Sequence, residues 1–154
     1  MQRLMDTPLG RIAVVSEEGA ITALNWVDAQ ETLQDQSDAP ELIAAEEQLN
    51  AYFKRGLRAF DLPVRVAGSD FQKAVCAEIA AIPFGETRQY GEIAKNLGMP
   101  AQAVGQACGG NPVPIIIPCH RVLSARGLGG FSARGGIETK VSLLRHEGAA
   151  GLLI

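Results

Sequence analysis

Apolar positions change their spacing several times along this chain, and each change marks an element. GRIAVVSEEGAITALNWV, residues 10–27, carries two apolar-rich extended runs around Ser16-Glu17-Glu18-Gly19, which predicts a β-hairpin. DAQETLQDQSDAP is mostly polar and reads as a loop. Its end, Ser37-Asp38-Ala39-Pro40, offers capping groups and a proline for a helix start. In the next stretch Leu42, Ala45, Leu49 and Phe53 recur at helical spacing and predict an amphipathic helix. FDLPVRV reads as a short strand that Pro63 confines to an edge or an end. A linker near Ala67-Gly68 then divides the chain into 1–66 and 67–154.

The second part is helical. Ser69 and Gln72 form a capping box, and Phe71, Val75, Ile79 and Ile82 make an apolar stripe that Cys76 borders as a buried, inert thiol. Thr87 can cap a helix whose inward face is Tyr90, Ile93, Ala94 and Leu97 and which ends at Gly98. A second short helix, AQAVGQACGG, starts after Pro100, and two such helices joined by a glycine-containing turn predict a helix-turn-helix. Next, NPVPIIIPCHRV drives three isoleucines into Pro118, Cys119, His120 and Arg121, and predicts a buried strand that stops at the cysteine. SARGLGGFSARGG is a surface loop. A last helix packs Ile137, Val141 and Leu144 and closes at Gly148.

Composition narrows the class. At 154 residues with 47% hydrophobic content, the chain suits one domain or two small ones with a packed interior. Its longest apolar run is too short for a bilayer, and no secretory signal opens it, so a soluble cytoplasmic protein is expected. The net charge of −3 is uneven: residues 1–66 hold 6 Lys/Arg against 11 Asp/Glu, and residues 67–154 hold 8 against 6. A polyanionic partner would meet the second part.

Cys76, Cys108 and Cys119 match no disulfide framework. A zinc site built from Cys108, Cys119, His120 and His146 lacks the short paired spacing of structural sites, so no metal is expected. Reduced thiols remain. Inert packing is the ordinary fate of a cysteine among apolar residues, but Cys119 should sit where buried backbone meets a cleft. A neighbouring imidazole or cation can lower its pKa and make it a nucleophile. Glu147, in the last turn of a helix, opposes the helix dipole. It reads either as a solvated glutamate or as the carboxylate that orients an imidazole in a nucleophile–base–carboxylate relay. His146 reads as a cation at a helix C-terminus.

GNPVPIIIPCHRV, a glycine-rich loop and then Lys140, Leu143, Leu144, Glu147 and Gly148 in K-x-x-L-L-x-x-E-G resemble the O6-alkylguanine-DNA alkyltransferases. FQKAVCAEIAAIPFGETRQYGEIAKNLG and TPLGRIAVVSEEGAITAL are similar to further segments of that family, so the resemblance covers nearly the whole chain. It implies an α+β fold: a small N-terminal ribonuclease H-like α/β subdomain over 1–66, followed by a helical domain over 67–154 with the helix-turn-helix and the active-site cysteine. It also implies a monomer that needs no cofactor, engages the minor groove of DNA containing O6-alkylguanine and flips the base out. The thiolate then takes the alkyl group irreversibly. By position Cys119 matches the acceptor, His120 the water-mediated base, Glu147 its orienting carboxylate and Asn111 the residue holding the adjacent turn. Tyr90 matches the tyrosine that assists flipping and serves the guanine. Val122, Phe131 and Ser132 fall on the substrate pocket, and Gln102, Ala103, Arg121 and Tyr90 on the DNA-contacting set.

Two departures stand out. GMPAQAVG is two residues shorter than the family's turn, and Gln102 stands where an arginine fills the gap left by the flipped base. Phe131 replaces a common tyrosine in a longer glycine-rich loop. No Lys or Arg lies between Lys95 and Arg121, so this recognition helix should hold phosphates weakly. A binder or regulator with impaired chemistry is the alternative these departures favour. A cysteine hydrolase would need an oxyanion hole that no motif here supplies.

Overall fold

The computed structural model describes residues 1–33, 36–129 and 136–149. The chain is α+β and divides into two compact units, Met1–Arg65 and Val66–Ile154.

The first unit is an antiparallel sheet of β1 (Gln2–Thr7), β2 (Gly10–Glu17) and β3 (Ala20–Trp26), covered by helix α1 (Pro40–Phe53). β1 was not expected from its mixed sequence. Its register, Met5 opposite Ile12 and Arg3 opposite Val14, completes one apolar face on which Met5, Ile12, Val14 and Leu24 are buried. Glu18 and Gly19 both take positive φ, 49° and 80°, the geometry that tight hairpins need. Two helix details correct the sequence reading. Ala39 is the N-cap and receives no side-chain cap: Ser37 Oγ accepts from Ala39 N, and Asp38 pairs with Arg3 at 2.9 Å. The buried stripe ends on Tyr52 rather than Phe53. FDLPVRV forms a single bridge, Val64 to Ile21, and no extended strand, because Pro63 has no N–H to continue a ladder.

The second unit holds α2 (Asp70–Ala80), β4 (Arg88–Gln89), α3 (Tyr90–Leu97), α4 (Ala101–Gly109), β5 (Val122–Leu123) and α5 (Ile137–Glu147). Ser69 caps α2 by accepting from Gln72 N at 3.0 Å, but the reciprocal half of the capping box is absent. The Gln72 side chain instead donates to Ala107 O at 2.8 Å and ties α2 to α4. Gln89, not Thr87, is the N-cap of α3, with Glu92 accepting from its N–H at 3.2 Å. Gly98 at φ 65° ends α3 in the left-handed conformation, and Pro100 precedes α4.

Two larger corrections concern the site. The isoleucine run is not a strand but a compact buried turn: Ile117 N bonds to Val113 O at 2.9 Å, and Ile115 sits at φ 73°. A β-branched residue there costs roughly 1–3 kcal/mol and persists only where its surroundings dictate it. The inward face of α5 is Thr139, Lys140, Leu143, Leu144 and Glu147, while Ile137 is 44% exposed and Val141 only half-buried. Of the three apolar positions expected to pack, Leu144 alone is fully buried, and a lysine and a glutamate share its inward face.

Candidate active site

Cys119 opens a short 3₁₀ turn, Cys119–Arg121, at the end of the buried isoleucine turn. Pro118 starts it without an orphaned N–H, and Arg121 N closes it on Pro118 O at 2.9 Å. Asn111 clamps this stretch from its first residue. Its Nδ2 donates to Ile117 O at 2.8 Å, while Oδ1 accepts from Val113 N at 3.0 Å. The same side chain also favours the charged form of the Cys119 sulfur, so one residue fixes the strained turn and acts on the nucleophile.

His120 and Glu147 meet. His120 is fully buried, and its Nε2 lies 2.8 Å from Glu147 Oε2. Arg121 binds the same carboxylate twice, Nε to Oε1 at 2.8 Å and the second guanidinium nitrogen to Oε2 at 2.9 Å. Arg121 also donates to the Ile82 carbonyl at 2.6 Å. With Arg121 as the counter-charge, His120 need not be cationic. Burial holds its pKa below the ordinary value despite the Glu147 bond, so the ring is neutral. A neutral ring facing a carboxylate carries its proton on Nε2, which leaves the lone pair on Nδ1. That atom is buried and has no hydrogen-bond partner among the described residues. It is a base in waiting.

The thiol differs from the sequence expectation. Burial pushes the Cys119 pKa up to about 11, against lowering contributions from the Asn111 bond and the charge of Lys140. At 7% exposure the resting sulfur is a protonated thiol, not a thiolate. Deprotonation requires an acceptor.

Tyr90 reaches the site because β4 pairs in parallel with β5, Arg88 opposite Val122 and Gln89 opposite Leu123. This places the first residue of α3 beside the segment that follows the cysteine. Burial raises the phenol pKa to about 12, so it remains a proton donor. Gly129, at φ 73°, lies so close that an added Cβ would meet the phenol oxygen at 3.3 Å. Val122 is fully buried, and its carbonyl accepts from Lys140 Nζ at 2.7 Å. Lys140 is the neighbour that sequence reasoning missed as a site residue.

Among the DNA-contacting candidates, Gln102 is exposed near the start of α4 and Ala103 is half-buried. Arg121 is a correction: at 5% exposure and locked onto Glu147, it cannot reach a phosphate, and its role is to hold the carboxylate. Phe131 and Ser132 lie outside the described residues. His146, placed at the end of α5, makes an edge contact with Phe84, with ring centroids 6.4 Å apart.

Comparison with known proteins fits this geometry. The profile described as 6-O-methylguanine DNA methyltransferase, DNA binding domain, matches residues 70–149, and that of the same family's ribonuclease-like domain matches residues 1–66. The chain belongs to the 6-O-methylguanine DNA methyltransferase family. Within that family, the methylated-DNA–protein-cysteine methyltransferase of Mycolicibacterium paratuberculosis is 41% identical over 151 residues, covering 94% of this chain and 90% of its own. The constitutive enzyme of that name from Bacillus subtilis is 38% identical and covers 92% of each chain. Mycobacterium tuberculosis OGT, solved in complex with DNA, superposes with a TM-score of 0.84 at 41% identity over 96% of this chain and 92% of that one.

Proposed function

We propose that this protein repairs O6-alkylguanine in DNA by moving the alkyl group irreversibly to Cys119. The observation that carries the reading is the buried arrangement of a thiol, an adjacent neutral imidazole with its Nδ1 lone pair free, and a carboxylate fixing the opposite ring nitrogen. A protein that only bound alkylated DNA would have no use for it.

In the reaction, the helix pair α3–α4 meets the minor groove, and the damaged guanine leaves the stack, because O6 is out of a thiol's reach inside the duplex. His120 Nδ1 takes the proton from Cys119, directly or through one water, and the imidazolium is stabilised by Glu147. The thiolate attacks the alkyl carbon from the side opposite O6. An S–C bond forms, the C–O6 bond breaks, and its electron pair goes to the guanine. Tyr90 donates a proton to the purine as that charge develops, and the phenolate, whose pKa of about 12 makes it a strong acceptor, recovers a proton through water from the His120 imidazolium, so the thiol proton ends on the guanine. The product is a thioether that no group in the site can cleave, so each chain acts once. The protein works as a monomer, since one acceptor suffices, and in the cytoplasm, where its free thiols stay reduced.

Intact-mass analysis after incubation with a methylated-guanine oligonucleotide tests this directly. One added methyl on the Cys119 peptide, absent from Cys119→Ala, is the expected result. Transfer that persists in Cys119→Ala on Cys76 or Cys108 refutes the assignment.

A further inference from the structure

Lys140 is an unusual occupant of a helix interior. Lysine is almost never fully buried, yet this one has no exposed surface. From α5 it reaches β5 and α3. Its Nζ donates to Val122 O at 2.7 Å, one residue beyond the turn that bears Cys119 and His120. The same ammonium lies 5.9 Å from the Tyr90 ring centroid. Among the described residues, the titratable groups that interact with it include Tyr90 from α3, Cys108 from α4, and Cys119 and His120 from the turn. On its own helix Glu147 is engaged by His120 and Arg121.

From this placement we infer that Lys140 is a positioning residue whose buried ammonium stabilises the Cys119 thiolate while its hydrogen bond to Val122 pins the turn that carries the nucleophile. The inference rests on Cys119 being the alkyl acceptor, but its test uses no DNA.

The electrostatics are coupled in both directions. Lys140 lowers the Cys119 pKa, and Cys119 and Cys108 raise that of Lys140, while burial brings the lysine down to about 8. Its charge also disfavours the imidazolium of His120. The cation therefore favours the state in which the thiol proton has left the site over the state in which it rests on the ring. A side chain that only filled space or donated one hydrogen bond would produce neither effect.

The test is the pH profile of iodoacetamide labelling at Cys119 in the full-length protein. Lys140→Met should move the profile to higher pH, and labelling at neutral pH slows about tenfold if the thiol pKa rises by one. Lys140→Gln keeps a donor for Val122 but no charge, and should move the profile as far. A profile unmoved in a folded Lys140→Gln protein overturns the inference.

Discussion

Glu147→Gln removes one charge and almost no volume, so its consequences isolate what the carboxylate does. Glu147 accepts from Arg121 at both oxygens and faces His120 Nε2 at 2.8 Å, with no side-chain exposure. A glutamine cannot satisfy this set. With its oxygen toward His120, its amide opposes the Arg121 Nε–H. With its amide toward His120, the imidazole must move its proton to Nδ1, and the free lone pair on that atom is lost. Leaving the Arg121 charge buried without its partner costs about 3–5 kcal/mol. Removing the general base costs roughly two to four orders of magnitude in rate. These effects separate experimentally. Single-turnover transfer is followed by intact mass well below the variant's melting midpoint, and iodoacetamide labelling of Cys119 is measured against pH in the same samples. The expected result is a folded protein with slow transfer and a labelling profile moved upward. A folded variant with the wild-type rate and an unmoved profile would show that Glu147 is structural only.

Asn111→Ala should lower stability by roughly 1–3 kcal/mol for each buried group it strands, here Ile117 O and Val113 N. It should also raise the Cys119 pKa, because a bond that favours the thiolate disappears; thermal melts and the labelling profile report the two effects separately. Gln102→Arg should raise the transfer rate on duplex DNA relative to single-stranded DNA, because it adds a cation and a stacking plane at an exposed position of α4, and should steepen the salt dependence of binding by about one counterion. An unchanged duplex preference would mean that another side chain fills the gap.

Much of this was legible in the chain. The hairpin, α1, α2 and the two helices around Gly98 follow from spacing and punctuation, since local preference and tertiary burial agree there. The failures have particular causes. The isoleucine run reads as a strand because periodicity cannot separate a short apolar strand from a buried turn. What decides the matter is the Asn111 clamp across Val113 and Ile117. β1 was missed because Arg3 occupies the inner face, neutralised by Asp38 and Glu46 from distant sequence. Lys140 and Arg121 look like surface cations in any sequence window. The Val122 carbonyl for Lys140, and the Glu147 carboxylate and Ile82 carbonyl for Arg121, make their burial tolerable, and they lie 18, 26 and 39 residues away.

The resting state of Cys119 suits a protein that can react once. At a pKa of about 11, its thiolate fraction at neutral pH is on the order of 10⁻⁴, so peroxides and small alkylating agents find little to attack. A thiolate held permanently, as a more exposed cysteine beside a cationic imidazole would be, spends the acceptor on solutes. Here the imidazole is kept neutral by burial, with Arg121 rather than His120 balancing Glu147. The base is therefore neutral at rest, with its Nδ1 lone pair unused among the described residues. Lowering the thiol pKa would quicken repair and waste more protein, and burying it further would do the reverse. Asn111 and Lys140 oppose desolvation at the sulfur, and the balance among these three sets how selectively Cys119 reacts.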